Sequence, residues 1–339
     1  MPKSATTIRD IARILGISKS TVSRALNNHY DVNPETARKV HELAAQIDYQ
    51  PNVLAQHLKT QHTNIIGVVI PETINRFFAK AVGGIQQVAN SAGYNVMICQ
   101  SNETLALERT NVQTLLSSRV DGLLVSVSRE TDRHDHFQHV LNREVPLVFF
   151  DRIIEELEAS QVYSDNFDIT FQATEHLIEQ GCKRIAFVAG PKHLYNSKHR
   201  LNGYLEALRK NNIKVSESLI VHATYGSSDV ETYTRYLFNL RQKPDAVFAI
   251  NDMAALEIMH ILKKRGLNVP NDVAVIGFNN ETICPLVEPS LTSIDHPAFE
   301  MGMAAAEILL QQITKKQITQ EKRLIKSRLV VRESTIRRP

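Results

Sequence analysis

The first apolar positions of the chain recur with the period of an α-helix. Residues 8–15 place apolar side chains at i, i+3, i+4 and i+7, the spacing of one buried stripe. The stripe consists of Ile8, Ile11, Ala12 and Leu15. Thr7 can cap this helix, and Gly16 stands where a helix ends in a left-handed residue. We therefore expect a short helix followed by a tight turn.

A second helix is predicted over ISKSTVSRALNN, residues 17–28, beginning at Lys19 after Ser18 as the capping residue. At about 100° per residue its polar and apolar side chains separate onto opposite sides. The polar arc holds Lys19, Ser20, Ser23, Arg24 and Asn27, and the apolar side holds Val22, Ala25 and Leu26. Hydroxyls, an amide and two cations suit phosphates and base edges. This stretch alone is equally compatible with a solvated surface helix.

A third helix is predicted from Asn33 as the cap and Pro34 as the first helical residue. Its inward positions are Ala37, Val40, Leu43, Ala44 and Ile47. Three short helices with one core, the first two joined by a glycine turn, are typical of a helix-turn-helix domain. In that fold the polar arc of residues 17–28 becomes the DNA-reading face.

The segment NVLAQHL, residues 52–58, follows this domain. Seven residues are fewer than the roughly 12 to 15 that an isolated helix needs in water. We expect this segment to be helical only when a partner holds it.

From Thr63 onward, apolar runs alternate with amphipathic stretches. The runs are NIIGVVI, YNVMICQ, DGLLVSV, PLVFFD, RIAFVAG, DAVFAI and DVAVIGF. The helical stretches are 78–91, 105–118, 169–180, 201–210 and 253–265. Near-continuous apolar strands separated by helices predict parallel sheets covered on both faces, here two sheets of roughly six strands each. The sequence contains neither the GxGxxG nor the GxxxxGK[ST] motif.

The net positive charge of the chain comes entirely from its first 62 residues. Residues 1–62 hold 8 Lys and Arg against 5 Asp and Glu, whereas residues 63–339 hold 31 of each. A small basic module joined to a neutral core is what a DNA-binding protein shows. The start has no signal-peptide pattern, no run is long enough to span a membrane, and three scattered cysteines read as reduced thiols. We expect a cytoplasmic protein with no membrane association.

Metal binding and catalysis find little support in the sequence. The group RHDHFQH, residues 133–139, contains His134, His136 and His139, but their spacing does not put three ligands on one helix face. We interpret the group as a solvated helix start. No GxSxG or HExxH motif is present. We predict no catalytic residue, no metal site and no cofactor.

Several strings together carry a resemblance to a known family. They are IRDIARILGISKSTVSRALN, YQPNVLAQHLK, KRIAFVAG, FAIND, VPNDVAVIGF, EPSLTSI and LVVREST. In this order and spacing the chain resembles the lactose-repressor (LacI/GalR) family of bacterial transcription regulators over essentially its whole length. The resemblance implies an all-α helix-turn-helix domain followed by an α/β two-lobed core like that of periplasmic binding proteins. Such a core has parallel sheets and three chain crossovers between its lobes.

This resemblance implies that the chain has three parts. They are a helix-turn-helix domain at 1–50, a hinge helix and linker at 51–62, and an effector-binding and dimerisation core at 63–339. Within the core we expect one lobe at about 63–163 and 293–326, and the other at about 164–292 and 327–339.

The resemblance also assigns DNA contacts. Lys19 and Ser20 match the family's main base-reading pair, and Arg24 matches a further base contact. Thr21, Ser23 and Asn27 match positions that mostly touch the DNA backbone, and Leu58 matches the hinge leucine inserted into the minor groove. Thr7 and Asn52 complete the predicted DNA-binding set. Gln56 stands where many relatives have arginine, which predicts a weaker minor-groove contact.

Six residues match effector-contacting positions of the family. They are Phe78, Asp151, Arg200, Tyr225, Asn251 and Asn279. Arg200 would bond a ligand oxygen, and Asp151 and Asn251 its hydroxyls. Phe78 and Tyr225 would supply apolar or stacking faces for the ligand, although plain core packing explains these two residues equally well. Many sugar-responsive relatives have aspartate where this chain has Asn279. A less negative cleft that keeps Arg200 leads us to expect an acidic or derivatised sugar.

The expected partners are a pseudo-palindromic double-stranded operator, a small sugar-like effector and a second copy of the chain. No leucine heptads follow LVVREST, which predicts a homodimer rather than a tetramer. A solute-binding protein without a transcriptional role is the main alternative, and a cytoplasmic enzyme is a third. The basic first 62 residues argue against transport, and the missing catalytic motifs argue against an enzyme. Whether the effector releases the operator or promotes its binding stays open.

Overall fold

The computed structural model describes residues 7–49, 62–74, 76–223, 228–315 and 319–337. The chain divides between Thr63 and Asn64 into two compact units. None of the helices in the described ranges combines the length and apolarity needed to cross a membrane.

The first unit contains three helices, α1 (Ile8–Leu15), α2 (Lys19–Leu26) and α3 (Pro34–Gln46). The predicted ends are confirmed. Thr7 and Asp10 form a capping box at α1, and Gly16 ends it at φ 64°. Asn33 caps α3 by accepting from the backbone N–H of Glu35 at 2.9 Å. The side chains at the centre of the unit are Ile11, Ala12, Val22, Ala25, Val40 and Ala44.

The second unit has two lobes, each built on one sheet. The strands of the first lobe are β1 (Ile65–Ile70), β2 (Asn95–Gln100), β3 (Gly122–Val125), β4 (Leu147–Phe150), β5 (Ser160–Ser164) and β11 (Lys322–Ile325). They lie in the order β11-β5-β4-β3-β1-β2, and every neighbouring pair is parallel. The helices around this sheet are α4 (Arg76–Ser91), α5 (Leu105–Ser117), α6 (Asp135–Leu141) and α11 (Ala298–Lys315).

The strands of the second lobe are β6 (Ile185–Ala189), β7 (Ile220–His222), β8 (Ala246–Phe248), β9 (Ala274–Phe278), β10 (Thr292–Asp295) and β12 (Arg328–Val330). They lie in the order β12-β10-β9-β8-β6-β7, parallel except for the antiparallel β10–β12 pair. The helices are α7 (Asn166–Glu179), α8 (Tyr195–Lys210), α9 (Ser228–Asn239) and α10 (Asp252–Lys264), with short 3-10 helices at Glu217–Leu219 and Glu333–Thr335. Two six-stranded sheets therefore confirm the predicted architecture.

The chain crosses between the lobes three times, after β5, after β10 and after β11. The segment that returns to the first lobe is predicted to start at about 293, and the strand pairing places the crossing itself slightly later. Ser293 and Ile294 pair with β9 in the second sheet, and Asp295 pairs with β12, so this crossing lies after Asp295. The strand continues because the backbone groups of these residues complete the ladder on both sides.

Two glycines allow α4 and α11 to pack closely against each other. A Cβ atom added at Gly84 would lie 2.1 Å from the carbonyl oxygen of Phe299, and one at Gly302 would lie 1.9 Å from that of Ala81. This contact fixes α4, whose first turn carries Phe77 and Phe78 toward the crossover region.

Candidate DNA-binding face and ligand cleft

The predicted recognition helix α2 presents its polar arc to solvent. Lys19, Ser20, Arg24 and Asn27 are exposed, and Thr21 and Ser23 are partly exposed. Ser18 accepts from the backbone N–H of Thr21 at 3.0 Å, as a capping residue should. Because Val22 and Ala25 are fully buried on the other side, the arc is held facing outward by the core.

Two contacts position side chains on this arc. Arg24 donates to Asp31 at 3.0 Å, and the carboxylate of Asp31 also lies 2.7 Å from Nδ1 of His29. Asn27 donates its side-chain amide to the carbonyl oxygen of Ser23 at 2.7 Å. Asp31 was not identified from the sequence, and it balances one of the two cations of the arc.

Three predicted DNA contacts are not on α2, namely Thr7, Asn52 and Leu58. Thr7 is exposed at the start of α1, where its hydroxyl donates to Asp10 at 2.7 Å. Asn52 and Leu58 lie outside the described residues, as does Gln56.

In the second unit, one cleft of about 350 Å³ gathers five of the six predicted effector residues. They are Phe78, Asp151, Arg200, Asn251 and Asn279. Tyr225 lies outside the described residues. Five further lining residues were not identified from the sequence, namely Phe77, Arg152, Asn196, Ile250 and His296.

Most of these side chains stand at the carboxyl ends of parallel strands. Asp151 follows β4, Asn251 caps α10 after β8, and Asn279 follows β9. Asp151 and Asn279 have φ angles of 60° and 107°, so the backbone turns sharply at both positions. Ligands of open α/β folds bind outside the carboxyl ends of strands, and this cleft follows that rule.

Two contacts hold the guanidinium of Arg200 in the cleft. Its Nε donates to Oδ1 of Asn166 at 2.7 Å, and its guanidinium carbon lies 3.5 Å from the centroid of the Phe278 ring. Stacking and a side-chain bond together restrict the rotamers of a long side chain. The half-buried guanidinium is thereby oriented for recognition of an oxygen or a carboxylate.

Asp151 is 5% exposed, and its Oδ1 has no hydrogen-bond partner among the described residues. Burial raises the pKa of Asp151 to about 6, although Arg152 and Arg200 both act to lower it. The neighbouring Arg152 is itself held by two bonds to Glu103, at 2.7 and 2.9 Å. An unpaired buried carboxylate oxygen is costly unless a ligand hydroxyl completes it.

His296 lies deep in the same cleft and is 4% exposed. Its ring stacks on Phe77 at 4.6 Å between centroids and meets Phe278 edge-on at 5.3 Å. Burial, with a contribution from Arg200, holds the pKa of His296 well below its usual range. The imidazole is therefore neutral at neutral pH.

The histidine group at residues 133–139 differs from the expected solvated helix start. His136 has a buried side chain, and its Nε2 lies 3.0 Å from Oε1 of the fully buried Glu108. Glu108 also accepts from the backbone N–H of Ser128 at 2.6 Å. The group is therefore partly internal. Among the described residues, no cluster of three or more potential ligands could hold a metal ion.

Comparison with known proteins places this geometry in context. Residues 7–52 match the model of bacterial regulatory proteins of the lacI family, and residues 174–335 match a periplasmic binding protein-like domain. The chain is 32% identical over 331 residues to catabolite control protein A of Priestia megaterium, covering 97% of this chain and 99% of that protein.

Two solved structures resemble the whole chain. The lac repressor dimer bound to operator and the anti-inducer ONPF has a TM-score of 0.87 at 26% identity, covering 98% of this chain and 100% of that one. The complex of the transcriptional regulator CelR with cellobiose has a TM-score of 0.74 at 28% identity, covering 97% and 99%.

Proposed function

This chain belongs to the lacI family of bacterial regulatory proteins, and from that premise we propose that it represses carbohydrate-metabolism genes under the control of a small effector. One observation carries the proposal. The same chain joins an exposed helix of cations and hydroxyls to a separate polar cleft between two lobes. The first surface suits DNA, and the second suits a small polar ligand.

On the DNA side, we infer that α2 enters the major groove. Lys19, Ser20 and Arg24 would contact base edges, because cations and hydroxyls near the start of a recognition helix reach them. Thr21, Ser23 and Asn27 would contact phosphates and set the register, with Thr7 and Asn52 beside them. Leu58 would act as a minor-groove wedge at the operator centre.

On the effector side, we infer a hydroxylated ligand. Asp151 and Asn251 would bond its hydroxyls, and Arg200 an oxygen or carboxylate, while Phe78, Tyr225 and Asn279 would shape the remaining contacts. The described lining residues include one carboxylate, Asp151, and two guanidinium groups, Arg152 and Arg200. Arg152 is paired with the buried Glu103, so its charge is offset within the protein, and it is the guanidinium of Arg200 that supports an acidic or derivatised sugar. CelR, a structural relative, is complexed with cellobiose, which supports the sugar class.

The two activities are linked through the lobes. A ligand that contacts both lobes stabilises one arrangement of them. Binding of the dimer to its operator also stabilises one arrangement of the lobes. The sign of the coupling depends on which arrangement each partner prefers. We propose that residues 1–50, 51–62 and 63–339 divide this work among DNA reading, hinge and effector core.

The alternatives are weaker. A solute-binding protein for transport has no use for the basic recognition helix, and family membership does not favour it. We ascribe no catalysis to the cleft, because its residues are explained by binding. Since its target is chromosomal DNA, we place the protein in the cytoplasm.

The proposal is tested by selecting duplexes from a random DNA pool at one fixed, moderate salt concentration. The wild-type protein should enrich one pseudo-palindrome, and Arg24→Ala should not. Arg38→Ala is a matched control, because Arg38 is an exposed cation of the same unit that pairs with Glu42 on α3. If the wild type enriches no sequence, with or without sugars and sugar acids, the proposal fails.

A further inference from the structure

A buried polar contact joins two of the three chain crossings between the lobes. Ser164 ends β5 at the first crossing, and His296 follows β10 at the second. Nε2 of His296 lies 3.1 Å from Oγ of Ser164, and both residues are almost completely buried. The third crossing is tied to the first, because the backbone N–H of Ser327 donates to Asp165 at 2.8 Å.

Further contacts in the second lobe connect Ser164 with the cleft. The side-chain amide of the buried Asn166 donates to the carbonyl oxygen of Ser164 at 3.3 Å. Its Oδ1 accepts from Nε of Arg200 at 2.7 Å. Ser164 therefore contacts His296 through its hydroxyl and Asn166 through its backbone carbonyl, and Asn166 in turn holds the cation that faces the ligand cleft.

On the side of the first lobe, His296 approaches the buried carboxylate of the cleft. Nε2 lies 3.9 Å from Oδ1 of Asp151, which is too long for a hydrogen bond. That oxygen has no partner among the described residues. A ligand hydroxyl that donates to Asp151 would thus arrive beside the same nitrogen that bonds Ser164.

The ring of His296 is held from both lobes. Phe77 of α4 stacks on it, and Phe278 at the end of β9 packs edge-on. A change in the angle between the lobes must shift one of these contacts. Nδ1 of His296 is buried and has no hydrogen-bond partner among the described residues. An apolar side chain would fill the same space without that cost. Packing alone therefore does not explain a histidine here.

We propose that His296 is a positioning residue that links occupancy of the cleft to the arrangement of the two lobes through its Nε2 contact with Ser164. The inference rests on the proposed function, since the coupling matters only if an effector controls operator binding. His296 sits where Asp151, Arg200 and two crossings converge, so that ligand binding and lobe movement act on one imidazole.

Two substitutions separate the polar contact from the packing. His296→Phe keeps an aromatic ring between Phe77 and Phe278 but removes Nε2. His296→Gln restores a polar group that can reach Ser164 and gives up the stacking. If His296 only fills space, the phenylalanine variant should behave like the wild type and the glutamine variant should be impaired.

The first readout is the coupling factor, the ratio of operator Kd with and without ligand. The probe is whichever of D-glucose, D-ribose, cellobiose, D-gluconate and D-glucuronate changes wild-type operator affinity most. With the ligand saturating for each variant, His296→Phe should lower this factor by about tenfold or bring it to one. His296→Gln should retain most of the coupling. Wild-type coupling in His296→Phe would overturn the inference.

The second readout needs no ligand. Hydrogen exchange of the full chain is followed in peptides spanning 160–166 and 292–298. His296→Phe should exchange about tenfold faster in both. His222→Phe is the matched control, because Nδ1 of His222 lies 3.0 Å from the carbonyl oxygen of Gly190 on the far edge of the second sheet, and the change should leave both peptides unchanged. If no probe changes wild-type operator affinity, control of the operator by these sugars and sugar acids is rejected. The hydrogen-exchange measurement still tests the role of His296 in that case. Unchanged exchange in His296→Phe would overturn it.

Discussion

The guanidinium carbon of Arg200 lies 3.5 Å from the centroid of the Phe278 ring, at the end of the strand that leads to Asn279. The stacked cation is also bonded to Asn166 at 2.7 Å. We expect a cation fixed in this way, close to Asp151, to make the cleft selective for the charge of its ligand as well as for its hydroxyl groups.

Arg200→Lys should weaken binding of a sugar acid by about tenfold or more, because lysine has neither the planar fork nor the stacking face of arginine. Calorimetry with D-gluconate and D-glucuronate measures the change. Lys198→Arg is the control, since Lys198 is exposed on the same helix. An Arg200→Lys protein with wild-type affinity for both acids would show that the guanidinium does not hold the ligand.

Asn279→Asp should shift preference from acids toward neutral sugars. A new carboxylate in the cleft repels an anionic ligand, and we expect roughly tenfold weaker binding of the acids. The same calorimetric panel measures the shift, with Asn90→Asp on the exposed face of α4 as the control for added charge. The acidic-ligand hypothesis is wrong if a neutral hexose binds the wild type tightest and Asn279→Asp strengthens that binding.

Asp31→Asn should raise operator affinity about three- to tenfold. Arg24 pairs with Asp31 at 3.0 Å in the absence of DNA, and that pair must rearrange when Arg24 contacts a base. Removing the carboxylate frees the cation and removes a charge that repels phosphates. Fluorescence anisotropy at several salt concentrations measures the effect. Glu42→Gln removes an equivalent exposed carboxylate from α3 and should change affinity less.

Asp151 should make stability depend on pH. Its pKa is raised by burial from 3.8 to about 6, so the folded protein binds this proton more tightly than the unfolded chain. The resulting stabilisation is present below about pH 4 and is lost as the pH rises through 6.

Relative to Asp151→Asn, the free energy of unfolding of the wild type should therefore fall by about 3 kcal/mol across this range. The lowered pKa of His296 acts in the opposite direction in both proteins. Urea unfolding at closely spaced pH values measures the difference. A difference that stays constant with pH would mean that Asp151 is not desolvated.

The protein should be a homodimer, because two-fold operators require two recognition helices related by the same symmetry. Light scattering of the free protein should give twice the mass of one chain. A mass of four chains would contradict this expectation.

The architecture of the core could be predicted because its strands are continuous apolar runs. β1 and β9 are almost entirely buried and have no polar interruption. In contrast, β5 has the sequence SQVYS and does not read as an apolar run, because its buried Ser160 and Gln161 are satisfied by internal hydrogen bonds. Hydrophobic periodicity cannot identify a strand whose polar side chains are bonded inside the protein.

The start of α8 was missed for a related reason. A helix was predicted from 201, whereas α8 begins at Tyr195. Asn196 and Ser197 in its first turn are buried near the cleft, which breaks the amphipathic pattern. Sequence patterns are weakest where polar residues turn inward.

Family resemblance identified five residues of the cleft but not His296. Its partner Ser164 is 132 residues away, and only the crossings of the chain bring the two together. Asp31 was missed although it is only seven residues from Arg24, because the loop between them has no periodicity that would predict its path.

The central claim is that one ligand site controls one DNA site. Operator affinity and ligand affinity should be measured on the wild type and on Arg24→Ala, with the selected operator and the panel of sugars and sugar acids. We predict that one ligand changes wild-type operator Kd by at least about fivefold, and that Arg24→Ala loses the operator but keeps that ligand's affinity. A ligand that binds without altering operator affinity, or a variant that loses both activities, would contradict the account.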